Sequence, residues 1–309
     1  MTDEGRADTA LTLTRCGFVA LIGAPNVGKS TLVNALVGSK VTIVSRKVQT
    51  TRAIIRGIVA ESNSQIILVD TPGIFAPRRR LDRAMVSTAW SGAHDADLVC
   101  VLLDAKVGID AEAEDILSKV ATVDHGKVLV LNKVDLVRPK KLLALAKDAN
   151  HHLAFARTFM ISALAGHGVA DLRRALAEMV PAGPFLYPED QMSDAPLRRL
   201  AAEITREKIF RKLHQELPYQ STVETDNWTE RKDNSVRIEQ TVFVEREGQR
   251  KIVLGRNGAT IKAIGAEARK ELEDIFGRKV HLFLFVKVRE QWGDDPERYR
   301  QMGLEFPKE

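Results

Sequence analysis

The stretch that most restricts what this chain can fold into is Gly23-Ala-Pro-Asn-Val-Gly28-Lys29-Ser30. It follows the apolar run Phe18–Ile22. It precedes Ser30–Val37, where Leu32, Val33, Leu36 and Val37 share one helical face. G-x-x-x-x-G-K-[ST] between a strand and a helix is a phosphate-binding loop. Glycines let the backbone wrap phosphates with its N–H groups inward, and the helix N-terminus adds positive potential. Gly23, Ala24, Pro25, Asn26, Val27, Gly28, Lys29, Ser30 and Thr31 are the expected phosphate contacts. Lys29 should reach the β and γ phosphates, and the Ser30 hydroxyl should ligate Mg²⁺. A plain glycine turn capping a helix would not need the strand-loop-helix setting.

Further strand-like runs follow at Ile54–Val59, Gln65–Val69, Leu98–Leu103, Lys127–Leu131 and Thr158–Ile161. Between them lie helical stretches at Leu81–Trp90, Ala111–Val120, Lys140–Asn150 and Val169–Met179. Alternating βα units predict an α/β fold with a mostly parallel sheet flanked by helices on both faces. The near-continuously apolar runs fit strands buried on both sides. Pro181-Ala-Gly-Pro184 stops the pattern, and Tyr187-Pro-Glu-Asp190 prolongs the break. The expected organisation is an extension over 1–15, a nucleotide-binding domain over 16–182, a linker over 183–194 and a second domain over 195–309.

The base is chosen elsewhere. Asn132-Lys133-Val134-Asp135 ends an apolar strand, where open α/β sheets bind ligands. A carboxylate at Asp135 accepts from N1–H and N2–H₂ of guanine together. Adenine has no such donor pair. Asn132 should brace the loop, and the Lys133 stem should cover the base. Asp70-Thr71-Pro72-Gly73 follows another strand. Asp70 is the expected second Mg²⁺ anchor, through water, and Gly73 lets its N–H approach the γ-phosphate. Ser162, Ala163 and Leu164 follow the last strand and offer backbone to the guanine oxygen. In Gln49-Thr50-Thr51-Arg52 one threonine should close over the metal; Thr51 is favoured, with Thr50 left open.

The second part reads as α-β-β-α-α-β: a helical stretch from Pro196 to His214, strands at Ser221–Asp226 and Ser235–Glu245, then Lys251–Leu254, a helix from Ala259 into Phe276, and a strand at Lys279–Val288. In Ser235–Glu245, Val236, Ile238, Val242 and Val244 should face one way and Arg237, Glu239 and Thr241 the other. Gly255-Arg256-Asn257-Gly258 matches the G-x-x-G loop of KH domains, which clamps single-stranded RNA backbone. From Gly248 to Ala266 the charged residues other than Glu267 beyond it are all basic: Arg250, Lys251, Arg256 and Lys262. The formal charge of +5 lies wholly before Leu186, so RNA binding by the second part rests on this local patch.

The phosphate loop, threonine segment, D-T-P-G and N-K-V-D, in that order and followed by the G-x-x-G domain, resemble the Era family of bacterial small-subunit assembly GTPases. The resemblance runs from about Phe18 to Leu304. It implies a GTP-hydrolysing switch using Mg²⁺ and a KH domain that binds the 3′ end of small-subunit ribosomal RNA. It also implies a monomer that acts on the 30S particle in the cytoplasm, and it allows peripheral association with the inner membrane face. Ile74 stands where many GTPases carry a water-orienting glutamine, which implies slow turnover and leaves the catalytic group unassigned. The alternatives are a nucleotide-gated RNA chaperone and an RNA-modification GTPase; no methyl-donor, flavin or metal-cysteine motif supports the latter.

The rest excludes more than it assigns. Cys16 and Cys100 are too few for a disulfide framework. No apolar run approaches the roughly 18 residues of a membrane span, and the acidic N-terminus is unlike a secretory signal. His151-His152 reads as a helix end, and Arg78-Arg79-Arg80 as either an RNA contact or a solvated basic turn. Trp90, Trp228 and Trp292 should pack or lie partly exposed.

Overall fold

The computed structural model describes residues 13–45, 47, 49–77 and 79–307. Most of the expected N-terminal extension, and Arg78, lie outside the described residues.

The first unit is a six-stranded sheet built from β1 (Arg15–Ile22), β2 (Ile55–Glu61), β3 (Ser64–Asp70), β4 (Leu98–Asp104), β5 (Gly126–Asn132) and β6 (Arg157–Met160). The order is β2-β3-β1-β4-β5-β6. Only β2 runs antiparallel to its neighbour. The helices are α1 (Lys29–Val37), α2 (Arg80–Asp95), α3 (Ala111–Val120), α4 (Pro139–His152) and α5 (Val169–Met179).

Strand alternation sorts the core. Val19 and Leu21 pack with Leu32, Leu36, Leu172 and Leu176 on one face. Ala20 and Ile22 pack with Ala89, Ala93, Ile116 and Leu117 on the other. Strands apolar at every position are thus covered on both sides, as their composition requires. The strand order reverses between β1 and β4, so the loops after the central strands open into a crevice suited to a ligand.

The second unit comprises α6 (Leu197–Lys212), β7 (Ser221–Glu230), β8 (Val236–Val244), α7 (Glu247–Leu254), α8 (Ala259–Phe276), β9 (Val280–Val288) and α9 (Pro296–Met302). The sheet order is β7-β8-β9, antiparallel then parallel. Leu200 and Ile204 of α6 and Ala268 and Leu272 of α8 bury Val236 and Ile238.

Thr241 lies on the strand face opposite Val236 and Ile238, as alternation predicts, and it is fully buried there, donating to Asp226 Oδ2 at 2.6 Å. The same sheet face is covered further along, where the guanidinium groups of Arg289 and Arg298 each stack 4.9 Å from the Phe243 ring. A helix that the strand pattern did not anticipate, α9, brings Arg298 there.

The two units are joined by more than the chain between them. Backbone from that stretch runs along β2, with the Ile58 N–H donating to the Met192 carbonyl at 2.9 Å. The Gln65 side chain accepts from the Leu186 and Tyr187 N–H groups. Arg52 donates to the carbonyls of Ser221, Pro218 and Tyr219 at 2.8, 3.2 and 3.0 Å, between the rings of Phe210 and Trp292. These bonds hold the threonine segment against the second unit.

Candidate functional site

A cavity of about 770 Å³ opens above the C-terminal ends of β1, β3 and β5. Its wall includes Pro25, Asn26, Gly28, Lys29, Ser30, Thr31, Thr71, Gly73, Asn132, Lys133, Asp135, Ser162 and Leu164, all singled out from sequence. Gly23, Ala24, Val27, Asp70, Pro72 and Ala163 are not among the residues lining it and adjoin those residues in the same loops.

The loop conformation follows from its residues. Gly28 has φ +104°, and a Cβ there would stand 2.3 Å from Asn132 Nδ2. That space is used. Asn132 Nδ2 donates to the Val27 carbonyl at 2.8 Å, and its Oδ1 accepts the Ala163 N–H at 3.0 Å. One buried amide therefore ties the phosphate loop to the 162–164 loop. Lys133, at φ +64°, donates to the Asn26 carbonyl and to Asp104 Oδ2, both at 2.6 Å. Asp135 is left exposed to the cavity.

Lys29 curls back, donating to the Gly23 and Ala24 carbonyls at 2.8 and 3.0 Å. Burial pulls its ammonium down to about 8, opposed by the nearby Asp70 carboxylate. A bound polyphosphate would supply the counter-charge that these neutral carbonyls lack.

Below it is a cluster of oxygens. Asp70 Oδ2 accepts from Ser30 at 2.8 Å, Thr42 at 2.9 Å and Thr51 at 3.4 Å. Burial pushes the Asp70 carboxyl up, and these hydroxyls and Lys29 work against it. Asp70 Oδ1 is buried without a partner among the described residues. An orphaned carboxylate oxygen beside converging hydroxyls is a hard, all-oxygen donor set, which fits Mg²⁺. The Ser30 and Thr51 hydroxyls are 2.9 Å apart. The Thr50 hydroxyl turns away to Ser45 Oγ at 2.6 Å and the Lys47 carbonyl at 2.7 Å. The geometry thus favours Thr51 of the two.

On the second unit, Gly255–Gly258 joins α7 to α8. Lys251, Arg256, Asn257 and Lys262 are exposed around it. Arg250 is held between the Val286 carbonyl and Glu247.

Residues 18–133 match a family described as 50S ribosome-binding GTPase, and residues 216–293 match the KH domain. GTPase Era of Bradyrhizobium diazoefficiens is 79% identical over 309 residues, with 100% of both chains covered. The chain belongs to the Era family of GTPases. GTPase Era of Brucella suis biovar 1 is 64% identical, covering 99% of this chain and 98% of its own. A solved structure of Era with MgGDPNP and nucleotides 1506–1542 of 16S ribosomal RNA is 37% identical, with TM-score 0.88 over 94% of this chain and 99% of that one. An Aquifex aeolicus Era variant bound to GDP and AlF₄⁻ is 36% identical, again with TM-score 0.88, over 94% of this chain and 99% of that one. The Era-type pairing of a mostly parallel GTPase sheet with a KH domain is thus the fold of this chain.

Several cavity residues escaped the sequence reading. Ile43, Val44, Ser45, Lys47, Leu136, Phe210 and Arg211 also line it. Thr42 reaches Asp70 from behind. No tetrapeptide pattern marks them, because they arrive through the fold of the threonine segment and the docking of α6. Elsewhere, Cys16 and Cys100 are buried, and burial pushes the Cys100 thiol up to about 12, so neither is a reactive group. Trp292 is buried and donates to the Gln220 carbonyl at 3.0 Å. Among the described residues no cluster of His, Cys, Asp and Glu has metal-binding form, His151-His152 included. No helix among them is long and apolar enough to cross a membrane.

Proposed function

We propose that the chain hydrolyses GTP in this cavity as a switch, and uses its KH domain to bind the 3′ end of small-subunit ribosomal RNA during subunit assembly. The observation that carries the reading is one cavity that gathers Lys29, the Ser30–Thr51 hydroxyl pair over Asp70, and Asp135. Lys29 swings from its carbonyl partners to the β and γ phosphates. Gly73 presents its N–H to the γ-phosphate, and Asp135 reads the guanine edge. Ser30 and Thr51, over the Asp70 carboxylate, would hold Mg²⁺. A bound ion there would supply charge neutralisation for the phosphate oxygens. Because Thr51 and Arg52 are adjacent, a threonine segment fixed by nucleotide is also a segment fixed against the KH unit.

The Era structure with MgGDPNP and 16S ribosomal RNA nucleotides shares this fold, which supports the small subunit as the site of action. The boundaries 16–182, 183–194 and 195–309 suit this division of labour. We place the activity in the cytoplasm, with contact to the inner membrane face a lesser reading that rests on family resemblance.

The test is retention on RNA. A single-stranded oligonucleotide from the 3′ end of small-subunit ribosomal RNA should bind the GDPNP-loaded chain more tightly than the GDP-loaded chain. Equal affinity in both states would remove the switch and favour a chaperone whose hydrolysis is incidental.

Ile74 gives a second expectation. It is 3% exposed and packed with Ala20, Ile22 and Ala89, so it holds core and not water. Ile74→Ala should cost about 2–5 kcal/mol of stability while leaving GTP turnover per folded molecule within about twofold. Denaturant melts with single-turnover assays well below the midpoint check this. Loss of hydrolysis in a folded, nucleotide-bound variant would make Ile74 part of the catalytic machinery.

A further inference from the structure

The wall of the nucleotide cavity is completed by the KH unit. Phe210 and Arg211, in the last turn of α6, line it together with Val44, Ser45 and Thr50 of the threonine segment. Phe210 is fully buried, and the guanidinium groups of Arg52 and Arg206 stand over its ring at 5.6 and 5.1 Å. It anchors the helix there. The next residue is different: the Arg211 side chain is 52% exposed.

Arg211 is aimed by Glu207, one turn earlier. Its Nη2 donates to Glu207 Oε1 at 3.0 Å, and the same oxygen accepts the Val44 N–H at 3.0 Å. The other Glu207 oxygen takes Lys40 and Lys208 at 2.8 and 2.9 Å. This carboxylate is completely buried. A single fixed group therefore sets both the threonine segment and the arginine beside it.

The other cations of the cavity wall have places of their own. Lys29 belongs to the phosphate loop, Lys133 bridges Asn26 and Asp104, and Lys47 donates to the Leu213 carbonyl at the end of α6. Arg211 keeps the remainder of a planar fork suited to phosphate oxygens.

We propose that Arg211 is a further cation for the triphosphate, supplied by the RNA-binding unit and positioned when the threonine segment is closed. This rests on reading the cavity as the GTP site. During transfer, water oxygen bonds to the γ phosphorus as its bond to the β–γ bridging oxygen breaks. The electron pair leaves on GDP, and the water proton goes to the released phosphate. Negative charge spreads over the γ oxygens and the bridge. With no glutamine after Gly73, a guanidinium on the same cavity wall is available to offset that charge. Arginines in such positions raise turnover by about 10³–10⁵ where fully enclosed. A half-exposed one is screened, so the expected contribution is about ten- to a hundredfold.

The experiment uses the full chain with Arg211→Ala and Arg211→Lys. Single-turnover hydrolysis is measured at saturating GTP, with affinities for GDP, GDPNP, and GDP with AlF₄⁻. Arg211→Ala should lower the hydrolysis rate about ten- to a hundredfold and weaken GDP–AlF₄⁻ similarly, with GDP affinity within about twofold. Arg211→Lys should recover part of the loss. If Arg211→Ala melts early, Arg211→Gln keeps a donor toward Glu207 without the charge and reads the same quantities. A wild-type hydrolysis rate, or equal weakening of GDP and GDP–AlF₄⁻, would overturn the proposal. A wild-type chain that binds no guanine nucleotide would instead overturn the reading of the cavity, and this inference with it.

Discussion

An Asp135→Asn chain should lose GTP affinity by about 10⁴–10⁵-fold and gain affinity for XTP. On the proposed reading, the carboxylate accepts two guanine N–H groups. The amide presents one donor in its place, which guanine cannot meet and the 2-oxygen of xanthine can. An unmet pair of polar groups in an enclosed site, rather than a small loss of shape, makes the expected effect large. The structure makes the variant clean. The backbone around position 135 is held by its neighbours, through Asn132 to Val27 and Ala163 and through Lys133 to Asn26 and Asp104. Asp135 itself is exposed toward the cavity, so its replacement removes no core contact. Competition between GTP and XTP, measured by calorimetry, decides the matter. Unchanged GTP preference in a folded variant would take base recognition away from this loop.

Legibility in the sequence followed the range of the interactions. The βα alternation stood out because each strand is apolar throughout and each helix has one apolar face. Ala111–Val120, Val169–Met179 and Ala259–Phe276 are helices over the bounds expected of them. The phosphate loop and N-K-V-D were legible because their chemistry is carried by neighbours in sequence. Thr50 and Thr51 were not separable, since both are threonines in a loop. Their difference exists only where Ser30, 21 positions earlier, meets one hydroxyl.

The helix α6 was legible as a helix and opaque as a partner. Thr205, Arg206, Glu207 and Lys208 are four consecutive polar residues, and all are buried. No amphipathic pattern predicts that. It arises because α6 meets its own sheet on one side and the threonine segment on the other, with Glu207 bonded to Lys40 167 positions away. Thr241 is a similar case: alternation gives its face of β8 but not its burial, which comes with a bond to Asp226 of β7.

The RNA half of the proposed function predicts an effect nearly as large. Gly258→Asp should weaken binding of the ribosomal RNA oligonucleotide by about a thousandfold. A carboxylate placed about 4 Å from a phosphate, at an effective dielectric near 20, is disfavoured by about 4 kcal/mol. The site permits the side chain itself, because a Cβ at Gly258 would meet only the Lys262 stem, at 3.8 Å. The backbone is less accommodating. Gly258 has φ +75°, in the left-handed region, where a non-glycine residue costs about 1–2 kcal/mol and aspartate or asparagine is tolerated best. The strain must therefore be separated from the charge, and Gly258→Asn does so with a nearly isosteric, neutral amide. Both variants should melt slightly below the parent and hydrolyse GTP at its rate, since α7 and α8 lie outside the nucleotide cavity wall. Only the aspartate should lose most of its RNA affinity, with the gap between the two narrowing as salt rises. Equal RNA binding by Gly258→Asp and Gly258→Asn would mean that no phosphate approaches this loop. The exposed cations Lys251, Arg256 and Lys262 would then need another partner, and the KH unit would touch its RNA through a different face.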